Sequence, residues 1–167
     1  MRTLPDPHPL IEMIVSAQFA PFEDSVEIVS ERRLGDDAAI AVAFDDRVGL
    51  QRRGLIGLCG HEGQWRQSGG TMGSVHVTRD TDLWMTSGGW GGPGRTEAAV
   101  FGGWVADPDA VAARAVDMNG HVLEDEVHDG VAIFMYTEEF NLQYARLELL
   151  GADGEVLRSG PLMRRRP

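Results

Sequence analysis

The stretch Val111-Ala-Ala-Arg-Ala-Val-Asp-Met-Asn-Gly-His-Val-Leu-Glu-Asp-Glu-Val127 decides the fold class. Asn119-Gly120 at its centre is the leading pair for a tight type I′ hairpin turn, because both residues tolerate positive φ. Residues 111–118 and 121–127 flank it as strands. Asp129-Gly130 then separates this ribbon from Val131-Ala-Ile-Phe-Met-Tyr136, and Asp153-Gly154 separates residues 142–150 from 155–158. Ala145, Leu147 and Leu149 alternate with Arg146 and Glu148, so that strand buries one face and wets the other. Turn signals recurring every ~8–12 residues predict a sandwich or a barrel.

The same reading extends backwards. Ser25-Val-Glu-Ile-Val-Ser-Glu-Arg-Arg33 alternates, and Ala38-Ala-Ile-Ala-Val-Ala-Phe44 is continuously apolar, as a strand buried on both faces would be. Gly35-Asp-Asp37 and residues 45–49 supply turns. Residues 50–59 and 63–67 form a hairpin around Gly60-His-Glu-Gly63. Residues 75–77 and 83–85 form another, and 96–105 is a strand with Phe101 and Trp104 packed. Before all of these, Ile11, Ile14, Val15, Gln18, Phe19 and Phe22 recur at helical spacing behind Pro9. A helix over 9–20, stopped by Pro21, follows. The expectation is one mainly β domain over residues 1–167. It is an antiparallel β-sandwich, curved sheet or barrel, with one N-terminal amphipathic helix. The strand–NG–strand–DG–strand order of the C-terminal part resembles immunoglobulin-like and transthyretin-like modules. That resemblance implies architecture and carries no function.

All fifteen basic residues are arginine. Without lysine there is no P-loop lysine, no Schiff base and no lysine general base. The excess of Ala, Gly, Val, Asp and Arg suits a high-GC bacterial genome; selection against amine modification is the other explanation. A formal charge of −11 argues against a nucleic-acid partner and an anionic membrane surface. It favours a partner of basic or neutral character. Cys59, the one cysteine, excludes an internal disulfide. The first ten residues do not read as a signal peptide and no apolar run approaches a membrane span, so a cytoplasmic protein is expected.

Chemistry-bearing residues are sparse. Cys59-Gly-His-Glu62 places a thiol, an imidazole and a carboxylate together. A two-residue strand step is loose for a nucleophile–base hydrogen bond, and a strand end with a hairpin cap is the simpler account. His8, His61, His76, His121 and His128 show no metal-ligand spacing, the acids near Asn119 do not form an EF-hand loop, and no Ser sits in a G-x-S-x-G elbow. No cofactor is expected. Gly88-Gly-Trp-Gly-Gly-Pro-Gly94 reads as a loop presenting Trp90, flanked by Gly89 and Gly91 and followed by Arg95. Trp65, Trp84, Trp90 and Trp104 together would suit a sugar-stacking platform if exposed.

Charge is unevenly distributed. Residues 23–46 and 121–139 are acidic, residues 47–95 are arginine-rich, and the tail Met163-Arg-Arg-Arg-Pro167 is basic. The leading expectation is a non-catalytic module that meets a protein partner through the Trp90 loop or an acidic face. One alternative is a small-molecule protein or enzyme with a cavity between helix and curved sheet, lined by His61, Arg66, His76 or Tyr136. Another is an acidic regulator or immunity-type protein. Open strand edges permit oligomers without specifying one.

Overall fold

A computed structural model describes residues 3–74, 98–105, 107–137 and 139–162. The expected hairpin at 75–85, the glycine cluster with Trp90, and the basic tail lie outside them. Among the described residues one helix, α1 (His8–Phe19), precedes ten strands. These are β1 (Glu27–Leu34), β2 (Asp37–Asp45), β3 (Gln51–His61), β4 (Gln64–Ser74), β5 (Ala99–Trp104), β6 (Ala112–Val116), β7 (Val122–Glu126), β8 (Val131–Tyr136), β9 (Arg146–Leu150) and β10 (Val156–Pro161). A 3-10 turn, Leu142–Tyr144, replaces the start of the long strand expected over 142–150. All pairing is antiparallel, and among the described residues no sheet closes into a barrel. The fold is a β-sandwich with one N-terminal helix.

Strand periodicity explains the layering. β2 is buried along nearly its whole length. Its even-numbered residues Ala38, Ile40, Val42 and Phe44 pack with Ile56, Leu58 and Trp65 against Ile11, Ile14 and Val15 of α1. Its odd-numbered Ala39 and Ala41, with Leu55, meet Val100, Trp104, Val131 and Ile133 from the ribbon β5–β8. The ribbon is itself two-sided. Phe101, Ala132 and Phe134 turn the other way and join Ala113, Ala115, Leu147 and Leu149 of the sheet β10-β9-β6-β7. The order of layers is therefore helix, four-stranded sheet, two-stranded ribbon, four-stranded sheet. Gly102 permits the close ribbon: a Cβ there would lie 2.4 Å from the Ala132 carbonyl oxygen.

The helix departs from its expected apolar face. Ile11, Ile14 and Val15 are buried, but Gln18 and Phe19 are exposed and Phe22 lies beyond the helix end. The chain leaves α1 through Ala20 in the left-handed region, φ 44°, before Pro21. β4 also exceeds its expected end at residue 67. Gly69 and Gly70 both pair with β3, and a bulge between Gly57 and Leu58 absorbs the irregularity. Ladder hydrogen bonds override the local weakness of glycine.

The turns sort differently from the expectation. Type I′ needs two successive residues at positive φ, and Glu62-Gly63 (52°, 80°) and Asp129-Gly130 (51°, 75°) have them. At Asn119-Gly120 only Gly120 does, φ 83°. Asp117 N–H donates to His121 O at 3.0 Å, closing a three-residue turn rather than a two-residue one. The buried Asp117 carboxylate imposes this. It accepts the backbone N–H of Asn119 (2.9 Å), His121 (2.9 Å) and Asn141 (3.2 Å), and lies 2.9 Å from His121 Nδ1.

Two predictions follow from this packing. Phe101 is fully buried and its ring lies 6.5 Å from that of Phe134. Phe101→Ala should cost about 3–5 kcal/mol, read as a lowered urea midpoint at unchanged slope. Burial pushes the Asp117 carboxyl up, but the N–H groups of Asn141, His121 and Asn119 and the His121 ring outweigh it and hold the pKa at about 2. A depressed carboxyl stabilises the fold above its unfolded pKa and ceases to as pH falls through its folded one. Wild-type stability should therefore fall between pH ~4 and ~2, and Asp117→Asn should flatten that limb of the curve in chemical denaturation.

Candidate functional site

β1 and β7 are edge strands of different sheets, and both pass beside β8. Where the three meet, one guanidinium and one carboxylate serve all of them. Arg32 Nε donates to Asp125 Oδ1 and Oδ2 at 2.8 and 3.0 Å. Its Nη1 donates to the Glu31 carbonyl (2.8 Å) and to Ser30 Oγ (3.0 Å), and its Nη2 to the Glu126 carbonyl (2.9 Å). Asp125 Oδ2 in turn accepts Ile133 N–H at 2.9 Å. Backbone groups of β1, β7 and β8 are thus satisfied by side chains instead of by a neighbouring strand. Both partners are mostly buried, at 18% and 16% side-chain exposure.

Beside this clasp a cleft of about 160 Å³ opens, lined by residues 32–34 of β1, 123–125 of β7 and 133–135 of β8. Leu34, Leu123, Ile133 and Met135 make it half apolar. Glu124 stands on its wall, exposed and with no hydrogen bond or ion pair among the described residues. Glu126 and Asp129 continue the exposed acidic margin, and His128 Nε2 lies 3.2 Å from Glu126. The volume is below the ~300 Å³ at which drug-sized ligand clefts begin. It has room for about one side chain. Arg32 and Asp125 saturate each other, so the cleft offers shape and a free carboxylate, without a nucleophile paired to a base.

The sequence-predicted residues lie elsewhere. His61 ends β3, and Arg66 lies opposite Cys59 on β4. Asp37, Cys59 and Arg66 stand in one cross-strand row, and His61 shares their face two residues on. Asp37 Oδ2 is committed to Ala98 N–H at 2.8 Å. His61 and Glu62 are both exposed, 3.8 Å apart. No group of three His, Cys, Asp or Glu among the described residues is placed to hold a metal ion. In the order β1-β2-β3-β4, Arg66 on β4 stands three strand spacings, about 14 Å, from the β1 wall of the cleft, and His61 on β3 two, about 10 Å. Tyr136 lies on β8, pairs with Ala99 and packs its ring against Phe140, 5.6 Å away, so it does not converge with His61 and Arg66. The space between α1 and the sheet is packed core among the described residues.

Two of the four tryptophans are core residues. Trp65 packs under α1, donates Nε1–H to Pro5 O at 2.7 Å and carries the Arg33 guanidinium 5.5 Å from its ring. Trp104 packs on the other face of the sheet, under Arg53. They therefore share no sugar platform. Trp84, Trp90, Gly89, Gly91, Arg95 and His76 lie outside the described residues.

Arg32 and Asp125 were not singled out by the sequence. They stand 93 positions apart, each inside a charged run that reads as a solvated strand face. Set against protein-family models, curated proteins and solved structures, the chain has no significant match in any of the three.

Removing Asp125 leaves a mostly buried guanidinium and the Ile133 N–H without their acceptor. Asp125→Ala should cost about 3 kcal/mol or more. Arg32→Lys should also destabilise, since an ammonium has three donors on one point and cannot span the same acceptors. Thermal melts of both variants against Glu124→Ala, expected within about 0.5 kcal/mol of wild type, check this.

Proposed function

We propose that the protein is a non-catalytic binding module that meets a basic protein partner through the acidic margin of β7 and the cleft beside it. One observation carries the reading. A cleft with room for one side chain lies beside an exposed carboxylate, Glu124, that makes no ion pair among the described residues. Interfaces are commonly anchored by one side chain in such a pocket and oriented by charge around it. The formal charge of −11 adds long-range attraction for a basic partner. The Trp90 loop belongs to the same proposal as a second contact, to be tested separately by Trp90→Ala.

The test compares variants by capture from an extract of the source cells, at low and high salt. Glu124→Gln with Glu126→Gln removes the margin's charge, and Leu34→Trp fills the cleft from an exposed position. One and the same captured protein should fall about tenfold in both variants and in high salt. Retention of every captured protein at full strength in both variants would exclude the reading.

A further inference from the structure

The end of the sandwich opposite the cleft carries a different surface. Phe22, Val48 and Leu50 are 62%, 78% and 53% exposed, and Phe19 at the end of α1 lies over Phe44 with ring centroids 5.9 Å apart. Single exposed apolar residues are ordinary; several at one place are not. Backbone bonds show that these are neighbours. Phe22 N–H donates to Asp45 O at 2.8 Å, and Asp46 N–H to Leu50 O at 2.9 Å.

The patch is held rigidly. Asp46 Oδ1 accepts the N–H of Val48 (3.0 Å) and Leu50 (2.9 Å), and its Oδ2 takes Arg52 Nε at 2.9 Å. Ser25 Oγ ties the two sides together, donating to Phe22 O at 2.8 Å and accepting Asp45 N–H at 3.2 Å. Apolar side chains on a pinned backbone bind with little ordering cost.

The surroundings say what covers it. Exposed Glu23 and Asp24 follow Phe22 directly in the chain and Arg47 precedes Val48, while Arg52 is committed to Asp46; Glu27 and Asp45, in register with Ala43 and Gln51, stand on the other face of the sheet. α1 ends here with no basic residue in its last turn, so its carbonyl end adds negative potential without an internal counter-charge. A second copy would bring like charges together. We infer that this end of the molecule is a docking surface for a basic amphipathic protein segment, apolar side chains on the patch and arginine or lysine at Glu23, Asp24 and the carbonyl end of α1. It is separate from the cleft, since β2 runs between the two ends over about 25 Å.

The probe is a labelled amphipathic peptide of leucine and arginine, titrated with the full chain and followed by fluorescence anisotropy. A matched peptide of leucine and glutamate is the control. Binding of the arginine peptide should weaken about tenfold in Phe22→Ser/Val48→Ser and in Glu23→Arg, with melting temperature unchanged. Leu50→Asn, across the turn, provides an independent variant with the same expected loss, and Phe22→Leu should retain binding. Glu124→Gln/Glu126→Gln, at the cleft, should bind the peptide as wild type does. The inference is overturned by absent binding to wild type, by equal binding of the glutamate peptide, or by equal binding to the Phe22→Ser/Val48→Ser variant. Sedimentation showing a dimer that Phe22→Ser/Val48→Ser dissolves would also overturn it, because a second copy would then be the occupant.

Discussion

The ion pair between Arg32 and Asp125, one Nε–H shared by both carboxylate oxygens, is the constraint on which the assembly of layers rests. Two sheets that meet at their edges leave rows of peptide groups with no strand to receive them. At this junction β8 lies beside both edges, and side chains take the place of a pairing strand. A guanidinium with five donors in a fixed plane can reach a carboxylate and two carbonyls at once. The carboxylate can then pass a second lone pair to Ile133 N–H. An apolar pair of the same size would fill the junction but leave those groups unsatisfied. A buried ion pair is often a poor contributor to stability; here its worth lies in the peptide groups it satisfies.

The clasp also accounts for why the interior can be so thin. β2 and the ribbon β5–β8 are buried on both faces, with alanine and glycine at many of the contacts. Small side chains bring backbones close, as Gly102 does against Ala132. Close backbones leave little tolerance for sliding, and a one-residue slip would turn Phe101 and Phe134 away from their core. A polar tie at the margin fixes the ribbon's register against both sheets where the uniform alanine surface of β2 cannot.

Much of the fold was legible because it is written in short-range terms. The continuous apolar run Ala38–Phe44 announced a strand buried on two faces, and Pro9 with Ile11, Ile14 and Val15 announced the helix. Errors arose where a distant group decided. Asn119-Gly120 has the composition of a type I′ turn, but the Asp117 carboxylate gathers three N–H groups and closes a longer turn. The strand expected to end at residue 67 runs on to Ser74 because the ladder from β3 continues to receive it. The cleft was not legible at all. Its walls come from β1, β7 and β8, and nothing in the local pattern of any of them announces the others. His61 and Arg66 were chosen because residue types suggested chemistry; they do share a face, but across the sheet from the cleft.

The absence of lysine takes on a structural meaning. Among the described residues, Arg32, Arg33, Arg52, Arg114, Arg146 and Arg158 are each engaged with a carboxylate, and Arg53 lies over Trp104. Glu148 is buried and holds two of them, Arg114 first, which draws its carboxyl below the ordinary range. Arg33, Arg146 and Arg158 pair at the surface, about half exposed; at the more buried Arg32 a planar guanidinium suits the work better than an ammonium does. The consequence appears outside. Each internal pair consumes a cation, so the surplus of acid falls on exposed residues such as Glu23, Glu27, Glu124 and Asp129. The field a partner meets is thus more one-sided than composition alone implies. At the β7 margin Arg114 stands opposite Glu124 but is drawn to Glu148, and at the end of α1 Arg52 is drawn to Asp46; these are the two places where apolar surface is also open.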